Sequence, residues 1–194
     1  MPDTKPRFKS GKKSSQRKRA ITRSQVSQSL LVEVAWEVCN QVGGIYTVIR
    51  SKVPSMIDTW GDNYCLLGPY VHQSVQVEFE EIDNGKDPFA LAAQRMQDQG
   101  YEVHYGRWLV VGRPRTVLLN PHSAKGKLGE IKYQLWNDHN IGTPEGDQLV
   151  DDVVAFGFMA YLFFQELASQ EVTTKNIVGH FHEWMAGTPI PSIR

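Results

Sequence analysis

The chain has 194 residues, which suffices for one well-buried domain or for the first half of a larger enzyme. Its composition, 41% hydrophobic and 22% charged with a formal net charge of zero, is that of a folded protein. Two cysteines are too few for a disulfide framework and fit buried thiols in a reducing compartment. The longest apolar run, residues 153–164, is shorter than the roughly 20 residues that a membrane-spanning helix needs.

The first segment of the chain is strongly basic. Nine Lys or Arg and one Asp occur in the first 25 residues, which leaves twelve basic and twenty acidic residues for the rest. Because the segment is poor in apolar residues, we expect residues 1–27 to form a disordered tail. It lacks an apolar core like that of a secretory signal, so we do not expect secretion. Its run "KKSSQRKR" fits a nuclear address, a polyanion-binding arm, a phosphorylation site or simply a solvated tail. The candidate phosphorylation sites are Ser14, Ser15, Ser24 and Ser27.

The ordered part begins with a strand–helix–strand pattern. The apolar run "SLLVEVAWEV" predicts a buried strand, and a turn with two glycines follows it. "IYTVIRSKV" has apolar residues at helical spacing up to Pro54, where we expect the helix to end. "NYCLLGPYV" predicts a second strand. This order is typical of the unit from which parallel sheets are built.

The middle of the chain is predicted to contain three more strands and one helix. "VQVEFEEI" alternates as an exposed strand does, and "PFALAAQRMQDQG" favours a helix closed by Gly100. "YEVHYGRWLV" and "PRTVLLN" favour two further strands. Residues 121–129 are polar in composition, so we expect a mobile loop there.

The last part is predicted to contain two helices and a strand. "KLGEIKYQLWNDHNIG" predicts an amphipathic helix, with these residues on or near one face: Leu128, Ile131, Tyr133 and Leu135. "QLVDDVVAFGFMAYLFFQELA" predicts a long buried helix, and "NIVGHFHEWMAG" a brief strand that runs into a polar, aromatic turn. The alternation predicts an α/β domain over residues 28–194, with a mainly parallel sheet and helices on both faces. The sequence stops where the next helix is expected, so we expect the sheet to be incomplete at its carboxyl end.

The glycine turn in "NQVGGIYTVI" is the first candidate site. Ligands of open α/β sheets bind at the carboxyl ends of the strands, where helix N-termini present backbone N–H groups. Glycine lets a phosphate approach the backbone closely, although Gly43 and Gly44 fit a tight turn and nothing more equally well. No third glycine follows at the spacing of the dinucleotide fingerprint.

The second candidate site is "GHFHEW", residues 179–184. Two histidines at i and i+2, without further His or Cys nearby, do not favour a metal centre, and we expect no metal. One alternative is a core histidine beside a solvated one. The other is a polar pocket in which Glu183 or His182 hydrogen-bonds sugar hydroxyls while Trp184 supplies an aromatic face.

Four segments taken together indicate a protein family more specifically than either candidate site does alone. "EVAWEVCNQVGGIYTVIRSKV", "WGDNYCLLGPY", "VHYGRWLVVGRP" and "VGHFHEWMAG" resemble, in order and approximate spacing, the start of glycogen synthases of the animal and fungal type. The resemblance covers residues 30–187 and implies the Rossmann-like amino-terminal domain of a two-domain glycosyltransferase-B fold. It implies transfer of glucose from UDP-glucose to the non-reducing end of an α-1,4-glucan with retention of configuration. Basic side chains and backbone N–H groups would stabilise the leaving UDP, with no metal and no cofactor besides the donor substrate.

The resemblance also implies roles for particular residues. Gln41, Gly43, Gly44 and Tyr46 would bind the donor, His182 and Glu183 would be catalytic, and His180 and Trp184 would line the sugar pocket. Where Gln41 stands, the family usually has Lys or Arg, so we expect weaker binding of the donor phosphates. Further catalytic and regulatory residues of the family lie beyond Arg194, and we expect this chain alone to be inactive. Glycogen and glycogenin as partners, a homo-oligomer in the full-length enzyme and a cytoplasmic location are implied as well, with no membrane and no nucleic acid.

Two other functions fit the same residues. A catalytically inactive, truncated homologue could bind glucan or the full-length synthase as a regulator, which Gln41 and the early stop favour mildly. A starch-synthase-like enzyme with ADP-glucose as donor would share the fold, but "WGDNY" and "GRW" resemble the UDP-glucose group.

Overall fold

The structure, a computed structural model, describes residues 22–193 of the chain. The strands are β1 Ser29–Val34, β2 Tyr64–Pro69, β3 Phe79–Glu81, β4 Val103–Trp108, β5 Arg115–Leu119 and β6 Asn176–Phe181. The α-helices are α1 Arg23–Ser27, α2 Gly44–Trp60, α3 His72–Glu78, α4 Pro88–Asp98, α5 Leu128–His139, α6 Gln148–Ala168 and α7 Glu183–Gly187. Short 3-10 helices span Gly61–Asn63, Pro121–Lys127 and Ile190–Ser192.

The six strands form one mixed sheet in the order β3-β4-β5-β2-β1-β6. Strands β5, β2, β1 and β6 are all parallel, whereas β3 and β4 pair in antiparallel fashion at one edge. This mainly parallel arrangement confirms the predicted α/β class. Since parallel strands point the same way, the segments that follow β1, β2, β5 and β6 all emerge at one edge of the sheet.

Each face of the sheet is covered by helices. Alternate residues of β1 point to opposite faces, so that Leu30 and Val32 pack with α4 and α6, and Leu31 packs with α2. The α4/α6 side contains the larger apolar cluster, which includes Phe89, Met96, Phe156, Met159 and Phe163. Burying a side chain of this size contributes about 1.5–3 kcal/mol, so the two clusters stabilise the sheet that holds the site.

Helix α2 continues through Pro54 to Trp60, so the prediction that Pro54 ends it is wrong. The buried positions Ile49, Val53 and Trp60 lie at helical spacing on both sides of the proline. Packing of this continuous apolar face outweighs the missing backbone hydrogen bond, which costs about 3 kcal/mol in an isolated helix. The helix ends instead at Gly61, whose φ of 51° is one that glycine adopts easily.

The segment predicted as an exposed strand, residues 75–82, is mostly helical. Helix α3 spans His72–Glu78, and only Phe79–Glu81 forms a strand. Val75 is buried, and the Glu78 carboxylate, one helical turn later, accepts hydrogen bonds from Tyr46 and Trp108. Val75 and Glu78 lie three residues apart and therefore on one face of a helix. Their contacts with the rest of the fold stabilise the helix, although the alternating pattern predicted a strand.

Two further predictions differ from the structure between residues 121 and 139. The predicted mobile loop forms a 3-10 helix, Pro121–Lys127, in which Pro121 and Ala124 are buried and the Asn120 side chain accepts from the His122 N–H. In α5, Ile131 and Leu135 are buried as predicted. Tyr133 lies two positions from each of them and is 65% exposed, so it is not on the buried face.

The described part of the predicted tail is also ordered. Residues 23–27 form α1, which begins with a capping box between Thr22 and Gln25, and Asn63 donates to the Val26 carbonyl. Residues 1–21 lie outside the described part. Both cysteines are buried and free, in agreement with the prediction. None of the helices between residues 22 and 193 has the length and apolar character that crossing a membrane requires.

Candidate active site

The two predicted sites lie at the same edge of the sheet. The glycine turn follows β1, and the His182 segment follows β6, which pairs directly with β1. The His182 N–H donates to the Val34 carbonyl at 3.0 Å and so continues the pairing to the strand end. Sequence reasoning placed both segments at strand ends, and the pairing of β1 with β6 makes them neighbours.

A buried carboxylate, Glu33, occupies the centre of this edge. It lies on the α2 side of β1, opposite His180 of β6, and is fully buried. The Tyr64 hydroxyl donates to its Oε2 at 2.5 Å, and the His182 Nε2 lies 2.5 Å from its Oε1. Lys52 of α2 forms an ion pair with the same Oε1. Three elements of the fold therefore converge on one carboxylate.

The charge of Glu33 is fixed by these partners. Burial alone would raise its pKa, but hydrogen bonds from His182, Lys52 and Tyr64 outweigh burial and lower the pKa to about 2. Conversely, burial and the adjacent carboxylate raise the pKa of the Tyr64 phenol, which therefore stays protonated. At neutral pH the site contains an ionised carboxylate surrounded by donors.

The glycine turn is closed by a second buried carboxylate, Glu37. Its Oε2 accepts from the Gly43 N–H at 2.7 Å and from the Tyr46 N–H at 3.0 Å, and so caps the N-terminus of α2. A Cβ on Gly43 would lie 3.1 Å from the Glu37 Oε1, whereas a Cβ on Gly44 would meet nothing within 4 Å. A side chain at position 43 would thus crowd the capping carboxylate, whereas Gly44 leaves the outer surface of the turn open.

The predicted donor-binding residues differ in exposure. Gln41, Gly43 and Gly44 are exposed, whereas Tyr46 is buried. The Tyr46 hydroxyl donates to Glu78 at 2.9 Å, and its ring packs edge-on against Trp108 with centroids 5.4 Å apart. The phenol of Tyr46 therefore faces the core, and only its backbone belongs to the turn.

The predicted sugar-pocket and catalytic residues line the end of β6 and the start of α7. His182 is mostly buried, whereas Trp184 and His180 are about half exposed, at 55% and 50%. The centroids of the His180 and His182 imidazole rings lie 4.4 Å apart, and burial lowers the pKa of His180. Glu183 is exposed and has a φ of 60°, a left-handed conformation that is uncommon away from glycine and that occurs often at functional sites.

Within residues 22–193, one group of side chains could hold a metal ion. Donor atoms of Glu33, His180 and His182 lie within 4.8 Å of one another. The carboxylate from β1 is the third partner that the sequence did not indicate. The Lys52 ammonium, however, already pairs with the carboxylate oxygen that an ion would use, and a cation there would be repelled by it.

Sequence reasoning missed Glu33, Glu37, Lys52 and Tyr64. One signal was available, because Glu33 interrupts an apolar strand, and a charge inside a buried strand needs partners. The partners themselves come from β2, α2 and β6, and no local pattern identifies them.

The chain is similar to known proteins of one family. The model of the glycogen synthase family matches residues 33–194. "Glycogen [starch] synthase" from Neurospora crassa is 40% identical over 167 residues, which cover 86% of this chain and 24% of that protein. The liver form from Homo sapiens is 39% identical over 162 residues (84% and 23%), and isoform 1 from Saccharomyces cerevisiae is 37% identical over 173 residues (85% and 24%). The chain thus spans about a quarter of the length of these relatives. It belongs to the glycogen synthase family.

Proposed function

We propose that this chain is the amino-terminal part of a UDP-glucose-dependent glycogen synthase. The full-length protein would transfer glucose from UDP-glucose to the non-reducing end of an α-1,4-glucan with retention of configuration. The observation that carries the proposal is the family match over residues 33–194, which includes both the glycine turn and the segment from His180 to Trp184. Both segments lie at the carboxyl edge of the parallel strands, where ligands of this sheet type bind.

The glycine turn is suited to the phosphates of the donor. The Glu37 carboxylate accepts hydrogen bonds from the N–H groups of Gly43 and Tyr46. The N–H groups of Gly44 and Ile45, which lie between them, have no acceptor among residues 22–193. These two groups belong to the first turn of a 17-residue helix, whose dipole favours an anion there. Gln41, exposed beside them, would add an uncharged donor to the diphosphate.

The segment after β6 is suited to the sugar. His182 and Glu183 would be the catalytic pair, with His182 close to Glu33 and Glu183 exposed at the start of α7. The half-exposed Trp184 and His180 would line the pocket. Aromatic faces and polar groups together are typical of sugar pockets.

The remaining parts of the proposal rest on family membership. We expect a cytoplasmic protein that forms a homo-oligomer at full length and has glycogen and glycogenin as partners, without a metal and without nucleic acid. Charge on the leaving UDP would be stabilised by N–H groups of the turn and by basic side chains, which is an electrostatic role.

The test is a transfer assay on the full-length protein that contains this chain. Incorporation of glucose into glycogen from UDP-glucose, and not from ADP-glucose, supports the proposal. His182→Asn should lower kcat by about 10²–10³-fold, the range typical for loss of one positioned hydrogen-bonding group that acts in the transition state. The matched control is His139→Asn at the exposed C-terminal end of α5, which should leave kcat unchanged.

The same assay distinguishes the regulatory alternative, which Gln41 favours. A full-length protein that transfers no glucose, but gains transfer when Gln41→Lys restores the charge usual in the family, would be a binding or regulatory homologue. Inactivity of both forms together with binding of glycogen would support that alternative as well. Transfer from ADP-glucose instead would contradict the proposed donor.

A further inference from the structure

The Glu33 carboxylate contacts three other parts of the fold through a single group. It is reached by Tyr64 of β2, Lys52 of α2 and His182 after β6. A fully buried carboxylate without such partners would be strongly destabilising. The arrangement therefore places constraints on each partner as well as on Glu33.

The strictest constraint falls on His182. An ionised carboxylate has only acceptor positions, so the nitrogen that faces it must carry the hydrogen. The nitrogen 2.5 Å from the Glu33 Oε1 is Nε2. In the neutral imidazole the lone pair is then on Nδ1, and that atom is the one left to accept a hydrogen bond.

We propose that Glu33 is a positioning residue that holds His182 with its hydrogen on Nε2, so that His182 meets a hydroxyl of the sugar donor through Nδ1 as an acceptor. This inference rests on the proposed function for the identity of the ligand, but not for the tautomer. The His182 side chain is 12% exposed, so part of it remains accessible.

His180 provides a contrast within the same cluster. Its Nδ1 lies 3.7 Å from the Glu33 Oε1, beyond hydrogen-bond distance, and its side chain is 50% exposed. Two histidines only two positions apart, one in β6 and one just after it, therefore differ in their relation to the same carboxylate. Only His182 has its tautomer set by Glu33.

Lys52 and Tyr64 support this role. Lys52 contributes a positive charge beside the same oxygen that His182 uses, and thereby keeps the carboxylate ionised. Tyr64 occupies the other oxygen, so the carboxylate cannot rotate away from His182 without losing a bond. The orientation of His182 is thus determined by the sheet and by α2 rather than by its own loop.

The first measurement is ¹⁵N NMR of the two ring nitrogens in the 194-residue chain labelled at histidine, with His182→Asn to assign the signals. We expect the wild-type His182 Nε2 to have the shift of a protonated nitrogen and Nδ1 that of an unprotonated one. In Glu33→Met with Lys52→Met, which removes carboxylate and ammonium together, the two shifts should move toward each other as both tautomers become populated. Glu81→Gln, beside His104, is the matched control and should leave the His182 shifts unchanged.

The result can overturn the inference in two ways. A hydrogen on Nδ1 in the wild type refutes it without any variant, so a variant that fails to fold does not prevent a decision. Unchanged His182 shifts in a folded double variant refute it as well. Neither result depends on activity, so failure of the proposed function and failure of this inference are distinguishable.

The second measurement is steady-state kinetics of the full-length protein with Glu33→Gln. The amide offers one acceptor oxygen to three donors, so some molecules have His182 in the other tautomer. We expect kcat with UDP-glucose to fall at least about tenfold, as for other residues that orient a functional side chain. The Kd for UDP alone, which lacks the sugar, should change less than about twofold. A loss of UDP binding equal to the loss of kcat would indicate a merely structural role and would count against the inference.

Discussion

The buried carboxylate predicts a specific acid sensitivity of the fold. The pKa of Glu33 is lowered from an ordinary 4.5 to about 2, since three hydrogen-bond donors outweigh the effect of burial. A lowered pKa stabilises the folded state at any pH above the unfolded value, and this stabilisation is lost as the pH falls toward the folded value. At about 1.4 kcal/mol per pKa unit, Glu33 contributes about 3 kcal/mol at pH 7.

The pH range over which this stabilisation is lost follows from the same two pKa values of Glu33. Because the loss begins near pH 4.5 and ends near pH 2, about 2 of the 3 kcal/mol should be gone at pH 3. In Glu33→Gln the carboxylate is replaced by an amide, which binds no proton between pH 4.5 and pH 2. The free energy of unfolding of the variant should therefore lie about 3 kcal/mol below that of the wild type at pH 7, and the difference should shrink to about 1 kcal/mol at pH 3.

Urea unfolding followed by tryptophan fluorescence at pH 7, 5, 4 and 3 measures both proteins. Glu145→Gln, which changes an exposed carboxylate between α5 and α6, is the control and should parallel the wild type at every pH. A difference between wild type and Glu33→Gln that is the same at pH 7 and pH 3 would refute the reasoning. It would mean that the carboxylate does not gain its stabilisation from being ionised.

Three further predictions concern the glycine turn and its support. Gly43→Ala brings a Cβ to 3.1 Å from the capping carboxylate and should lower the free energy of unfolding by about 1 kcal/mol in a urea melt, whereas Gly44→Ala, with open space around it, should not lower it. Glu78→Gln turns an amide N–H₂ toward one of two donors, the Tyr46 hydroxyl or the Trp108 indole N–H. It should lower the free energy of unfolding by about 1–3 kcal/mol and change the near-ultraviolet circular dichroism spectrum. Gln41→Lys supplies a charged donor and should lower the Kd for UDP about fivefold in calorimetry, with the gain reduced at high salt.

Much of the fold could be predicted because it depends on local patterns. Helix α6 has the predicted bounds, since an uninterrupted apolar face begins after the capping residue Asp147 and extends for 21 residues. The four parallel strands were predicted from short apolar runs, and the edge of the sheet that carries the site follows from their common direction. The prediction that Pro54 ends α2 was wrong because the lost hydrogen bond is visible in the local sequence, whereas the packing of α2 on the sheet, which outweighs that loss, is not.

The interior of the site could not be predicted in the same way. Glu33 depends on Tyr64, 31 positions away, and on His182, 149 positions away. Hydropathy patterns report which face a residue occupies but not which distant side chain it meets there. The same limitation applies to Glu37, whose role as the cap of α2 appears only when the turn has its actual conformation.

The pairing of β1 with β6 has a consequence for the order in which the protein folds. The strand that begins the sheet and the strand that completes the described part of it are separated in sequence by all the other strands, so their contact has a long loop to close. Until β6 docks, the Glu33 carboxylate has its partners from α2 and β2 but lacks the imidazole. Release of β6 by a local opening would therefore dismantle the candidate active site while the other strands of the described sheet remain paired, and hydrogen exchange would record it as faster exchange in β6 than in β2.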